Sequence, residues 1–81
     1  MAFTRRGNIT FPYKVDQYIT ARRIDGTLIR LFFRHISCWE EHCWDDDRTI
    51  VIVYFTNGSN IAVRESFEAL TLHINKREVA P

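Results

Sequence analysis

The chain has 81 residues, of which 46% are hydrophobic and 26% are charged, and its formal net charge is +1. This length leaves room for one domain and excludes a barrel enzyme or a two-part dinucleotide-binding fold. The composition is too apolar for a disordered tail, no apolar run approaches the roughly 18 residues that span a membrane, and the near-neutral charge argues against general binding to nucleic acid.

The first 15 residues show no clear hydrophobic rhythm. We expect residues 1–15 to form an arm or a short edge strand, because Pro12 limits backbone pairing. Arg5 and Arg6 are followed by polar residues and not by an apolar segment, so we expect no signal peptide. The sequence therefore predicts a cytoplasmic protein.

The next segment has the alternation of a hairpin. Tyr18–Ile24 predicts a first strand, Asp25-Gly26 predicts a two-residue turn of type I′, and Thr27–Ile36 predicts a long second strand. In the second strand, we expect Leu31 and Phe33 on one face and Arg30, Phe32, Arg34 and Ile36 on the other.

Residues 38–48 break this alternation. They contain two Cys, two Trp and five acidic residues, which predicts an acidic loop. The pattern then returns with Thr49–Phe55, a strand of β-branched and aromatic residues. Asn57-Gly58 predicts a second hairpin turn, and Asn60–Arg64 predicts the returning strand.

The end of the chain has the pattern of one helix over residues 66–76. The hydroxyl of Ser66 can cap its first turn, and Phe67, Leu70 and Ile74 lie on one stripe. We therefore predict a single α+β domain over residues 1–81. It comprises an antiparallel β-meander of about four strands with one C-terminal helix packed on one face.

The strand Thr49–Phe55 is apolar on both faces, and one helix covers only one face of a sheet. The second face requires cover from the N-terminal arm, from curling of the sheet or from another chain. A homodimer through that face is the simplest partner.

Charge is separated along the chain. Residues 1–37 hold seven basic and two acidic side chains, whereas residues 38–48 hold five acidic side chains and one Arg. Tryptophan is common among interface hot spots, and an acidic rim suits a basic partner surface. The alternative is that a Trp folds back into the core. The predicted protein-binding residues are Trp39, Glu40, Glu41, Trp44, Asp45, Asp46 and Asp47.

A second candidate site is an Arg-rich strand face formed by Arg22, Arg23, Arg30 and Arg34. Phe32 lies between two of these arginines, so phosphate contacts and base stacking could combine there. The alternative is an ordinary solvated strand face with an interspersed aromatic ring.

A third candidate is a small zinc site, because His35, Cys38, His42 and Cys43 are all possible ligands. Against it, adjacent ligands close a tetrahedron poorly and the C-x2-C knuckle of zinc ribbons is missing. In a reducing compartment, the two cysteines are expected as free thiols. We find no nucleophile motif and no phosphate loop, and expect neither catalysis nor a cofactor.

The segment from Thr49 through Thr56-Asn-Gly to Ile61-Ala-Val-Arg-Glu-Ser-Phe-Glu-Ala-Leu70 resembles the FlbD-like family of small flagellar-operon proteins. The upstream Ile24-Asp-Gly26 turn and Trp39-Glu-Glu41 extend the resemblance to about residues 19–75. It implies a small, non-catalytic protein of flagellar-operon or phage type. The basic arm and the Cys- and Trp-rich segment depart from the family pattern.

Together these features predict a small non-catalytic protein-interaction module, such as a regulator or inhibitor of a larger cellular machine. A phage or mobile-element origin fits its size. The alternative function is a nucleic-acid-binding domain that uses the Arg-rich strand face.

Overall fold

The computed structural model describes residues 2–43 and 49–78. Over these residues the chain forms six strands, one short 3-10 helix and one α-helix. The strands are β1 Ala2–Gly7, β2 Tyr18–Arg22, β3 Leu28–Phe32, β4 Ile36–Cys43, β5 Thr49–Phe55 and β6 Asn60–Val63; the 3-10 helix is Phe33–His35 and α1 is Phe67–Glu78. Within the described part of the chain, no helix is long and apolar enough to cross a membrane.

The strands form two antiparallel sheets. The larger sheet has the order β1-β4-β5-β6, and β2 and β3 form a separate two-stranded ribbon. A bridge between Arg23 and Val63 joins the two sheets, and the Arg64 N–H donates to the Arg22 carbonyl at 2.7 Å. Consecutive pairing of β4, β5 and β6, followed by one helix, confirms the predicted α+β fold with a β-meander.

The core lies against one face of the larger sheet, which we call the inner face. The helix and the ribbon both cover this face, so the helix alone does not close it. The buried apolar residues are Ile19, Ala21, Leu31, Phe33, Ile36, Trp39, Val51, Val53, Val63, Phe67, Leu70 and Ile74.

The helix α1 begins where its sequence predicts. The Ser66 hydroxyl accepts from the Ala69 N–H at 3.1 Å, which satisfies one of the free donors of the first turn. Phe67, Leu70 and Ile74 are all buried. The predicted apolar stripe is therefore the face that packs on the sheet.

The prediction of a loop over residues 38–48 is wrong for its first half. Residues 36–43 form β4, which pairs with β1 on one side and β5 on the other. The acidic pair Glu40 and Glu41 resembled a solvated loop, but each carboxylate faces an arginine of β1 across the sheet. Residues 44–48 lie outside the described residues.

The predicted long strand Thr27–Ile36 is also wrong in extent. It ends at Phe32, and the 3-10 helix turns the chain out of the ribbon and into the larger sheet. This turn buries both Phe33 and Ile36, which simple alternation had placed on opposite faces. The predicted edge strand at the N-terminus is confirmed as β1, which lies at one edge of the larger sheet.

Candidate functional site

Trp39 belongs to the core and not to a binding surface. It is only 1% exposed, and its indole Nε1–H donates to Thr71 Oγ1 of the helix at 2.9 Å. The ring also fills the space above Gly7, where an added Cβ would lie 2.5 Å from Nε1. The interface prediction is wrong for Trp39, and the core alternative describes it.

Glu40 and Glu41 are held in ion pairs within the protein. Arg6 Nε donates to Glu40 Oε2 at 2.8 Å, and His42 Nε2 lies 2.9 Å from Glu40 Oε1. Arg5 forms a two-pronged pair with Glu41, both contacts at 3.0 Å, and also reaches Glu68 at 2.6 Å. These contacts raise the pKa of Arg5 and of Arg6.

The acidic surface predicted from sequence is therefore not supported by its described members. Glu40 is 7% exposed, and both carboxylates already have cationic partners. The other predicted residues, Trp44 and Asp45–Asp47, lie outside the described residues.

The four possible zinc ligands are not brought together. Alternation along β4 places His42 and Cys43 on opposite faces of the sheet. Cys38 and His42 share a face but are four residues apart, about 13 Å along a strand, whereas zinc bonds are about 2.0–2.3 Å long. His35 lies on the 3-10 helix beyond the start of β4. Among the described residues, no group of three or more possible ligands is assembled.

The Arg-rich face, in contrast, contains an ordered group of charged and aromatic side chains. Tyr18 of β2 lies directly opposite Phe32 of β3, and their ring centroids are 5.2 Å apart. The guanidinium of Arg30 lies 5.1 Å from the Tyr18 ring centre, and that of Arg34 lies 5.5 Å from the Phe32 ring centre. The cation–aromatic cluster consists of Tyr18, Arg30, Phe32, Arg34 and His35.

His35 extends this cluster toward the larger sheet. Its ring centroid is 6.0 Å from that of Phe32, and its Nε2 accepts from Arg34 Nε at 3.3 Å. Its carbonyl accepts the Thr56 N–H at 2.8 Å. The cluster is thus anchored to the turn between β5 and β6.

A cleft of about 410 Å³ opens beside the cluster. The end of the ribbon forms one wall and the β5–β6 turn forms the other. Its lining residues are Arg30, Phe32, His35, Phe55, Thr56, Asn57 and Ser59.

The other two arginines of the predicted face lie nearer the ribbon tip. Arg22 is opposite Leu28, and its Nη1 donates to the Gly26 carbonyl at 2.8 Å. Strand alternation places Arg22 on the same exposed side as Arg30, so it can extend the basic surface. Arg23 makes the bridge to Val63 at the junction of the sheets and lies apart from the cluster.

Sequence reasoning missed Tyr18, Asn57 and Ser59 as members of this region. The hairpin register could have identified Tyr18, because a known loop length defines which residue of β2 lies opposite Phe32. No sequence pattern identifies Asn57 and Ser59 as members of the region, because only the folded chain brings the second turn beside the ribbon.

Comparisons with protein families, with curated proteins and with solved structures found no match for this chain. The resemblance to the FlbD-like family therefore stays an expectation. The candidate site is defined by its geometry alone.

Proposed function

We propose that this protein binds single-stranded nucleic acid through the cation–aromatic cluster. The observation that carries the proposal is the alternation of cations and rings in the order Arg30, Tyr18, Phe32 and Arg34, which runs from one side of the ribbon onto the 3-10 helix. Arginines that bind phosphate, interleaved with aromatic rings that stack bases, are typical of single-strand binding surfaces.

The arginines of the cluster differ from those of β1 in their partners. Arg5 and Arg6 each pair with a carboxylate of β4. Among the side chains described for residues 5–43 and 49–75, no carboxylate forms an ion pair with Arg30 or Arg34, which contact aromatic and imidazole rings. Their charge is thus left for a ligand, and the rings limit their conformations before binding.

Single strands fit this surface better than a duplex does. Stacking on Tyr18 or Phe32 requires a base whose face is exposed, and the bases of a duplex are already stacked. The one α-helix among the described residues packs its apolar stripe into the core with the buried side of the ribbon, so no α-helix is presented at the cluster to enter a major groove. The proposal describes a binding protein without catalysis that acts in the cytoplasm.

The net charge of +1 is compatible with a local basic surface. Internal pairs with Arg5 and Arg6 occupy Glu40 and Glu41, so these acids do not repel a strand at the ribbon. Phosphate binding depends on the charges that face the ligand and less on the total.

The test compares two charge-matched double variants. R30Q/R34Q removes the two cluster arginines, whereas K14Q/R64Q removes two exposed cations elsewhere. We expect R30Q/R34Q to bind a fluorescein-labelled single strand of about 12 nucleotides at least about tenfold more weakly than the wild type, as for two lost phosphate contacts.

Fluorescence anisotropy at constant salt measures the affinities. K14Q/R64Q should keep the wild-type affinity within about threefold. Equal losses in both variants would show that only total charge matters and would overturn the proposed site. Absence of binding by the wild-type protein at low salt would overturn the proposed function itself.

A further inference from the structure

We infer that the cleft beside the cation–aromatic cluster holds one nucleotide of the bound strand, with its base inside and its phosphate on Arg30. This inference rests on the proposed function and assigns the part of the strand that enters the protein. A surface that only stacks bases and attracts phosphates would not require a cleft.

The size of the cleft suits a nucleotide. Its volume of about 410 Å³ lies in the lower part of the range of small-ligand sites, about 300–1,000 Å³. A single base with its sugar fills such a space, whereas a base pair with both backbones does not. The occupant is thus one unit of a single strand or a free nucleotide.

The walls supply an aromatic surface and a cation at neighbouring positions. Phe32 belongs to both the cluster and the cleft lining, and the half-buried Phe55 also lines the cleft. Arg30 is two residues from Phe32 on the same face of β3. A base that stacks on Phe32 therefore places its phosphate within reach of the Arg30 guanidinium.

The β5–β6 turn presents hydrogen-bond donors to the cleft. Asn57 Oδ1 accepts from both the Ser59 N–H at 2.9 Å and the Ser59 hydroxyl at 2.6 Å. Because its oxygen is occupied, the amide offers its two N–H donors to a ligand. These donors match the carbonyl and ring-nitrogen acceptors on the edge of a base.

Uridine 5′-monophosphate and ribose 5-phosphate are suitable probes, because they differ only in the base. We expect the uridine nucleotide to shift the backbone amide NMR signals of Arg30, Phe32, His35, Asn57 and Ser59. Ribose 5-phosphate should bind at least about fivefold more weakly, because it cannot stack.

The variant N57D tests the base contact without removing the turn. An aspartate oxygen can still accept from Ser59, but the N–H donors are lost and one negative charge is gained. Q17E is the matched control, since Gln17 Oε1 likewise accepts a backbone N–H, that of Lys14, at 3.0 Å, and the charge change is the same. We expect uridine monophosphate to bind N57D about tenfold more weakly and Q17E within about twofold of the wild type.

The outcomes separate this inference from the proposed function. Equal affinities of N57D and Q17E, or nucleotide-induced shifts outside the cleft, would overturn the cleft assignment even if the labelled strand binds normally. Shifts confined to the cleft, without binding of the labelled strand, would support the cleft and overturn the proposed function, since a free nucleotide would then be the ligand.

Discussion

Glu40 is a nearly buried acid on the outer face of the larger sheet, the face opposite the core. Burial opposes its ionisation, but hydrogen bonds with Arg6 and His42 outweigh it and hold the pKa of Glu40 below its usual value. Burial and the nearby Glu40 carboxylate raise the pKa of Tyr54. The folded state therefore favours a charged Glu40 and a neutral Tyr54.

This network predicts a pH dependence of stability. A lowered folded-state pKa stabilises the protein above the unfolded value of about 4.3, and this stabilisation is lost as the pH falls through the folded value. We expect E40Q to be about 1–3 kcal/mol less stable at neutral pH and to lose less stability on acidification. Urea unfolding at several pH values measures both effects. D16N, which removes the same charge at an exposed position, serves as the control, and parallel pH curves for wild type and E40Q would contradict the prediction.

The close approach of Gly7 and Trp39 predicts that substitution of this glycine destabilises the protein. An alanine at position 7 would place its Cβ 2.5 Å from the indole nitrogen, so G7A should destabilise the protein by about 1–3 kcal/mol. In the W39F background the clash is removed, and the same substitution should cost less. Thermal unfolding of the four proteins of this cycle measures the coupling, and equal costs in both backgrounds would contradict the contact.

At the scale of elements, the two hairpins use the same turn. Gly26 and Gly58 have φ angles of 97° and 92°, and each follows an Asx residue. The oxygen of Asp25 accepts from the N–H and hydroxyl of Thr27, as that of Asn57 does from Ser59. The two hydrogen bonds from Thr27 lower the pKa of Asp25.

The loops contain three residues and not the two that their sequences suggested. The Arg23 N–H donates to the Thr27 carbonyl, so Ile24, Asp25 and Gly26 form the first loop, with the glycine in the left-handed position. A two-residue loop would have set Tyr18 opposite Phe33. The extra loop residue sets Tyr18 opposite Phe32, and the cation–aromatic cluster depends on this register.

The turn geometry predicts that two substitutions at Gly26 lower the free energy of unfolding by different amounts. Alanine in the left-handed region should cost about 1–2 kcal/mol, whereas asparagine tolerates this region better and should cost less. An added Cβ meets no atom within 4 Å at this position, so backbone conformation is the only penalty. Chemical unfolding of G26A and G26N measures it, and equal losses would argue against strain.

At the scale of the molecule, the basic surface is local, which limits how many phosphates it contacts. For a single strand, the logarithm of affinity falls with the logarithm of salt by about 0.7 per phosphate contacted. With Arg22 and Arg30 on one side of the ribbon and Arg34 on the adjoining 3-10 helix, we expect a slope near about −2. Anisotropy titrations over a range of KCl concentrations measure it, and a slope near zero would contradict phosphate binding.

The predicted homodimer would form through the outer face of the larger sheet. Ile50, Ile52 and Tyr54 are half-buried there, beside the Glu40 network, while the helix and ribbon cover the inner face. Dimerisation through the outer face, and a regulatory or inhibitory role toward a larger machine, stay predictions. Light scattering at increasing concentration tests the dimer.

Elements with local signals could be predicted from the sequence alone. The β-branched run of Thr49–Phe55 predicted β5, Ser66 and the apolar stripe predicted the helix, and the α+β class followed from them. Such signals depend on neighbours within a few residues, so no partner strand is needed to interpret them.

The identity of β4 and the composition of the site depend on contacts between residues that are distant in the sequence. Arg5 and Glu41 are 36 residues apart in sequence, and Trp39 and Thr71 are 32 apart. A charged segment becomes a central strand only when distant arginines neutralise it, and a Trp beside acids becomes core only when a helix covers it. The cluster likewise required a hairpin register set by one extra loop residue, because a one-residue shift changes every cross-strand neighbour.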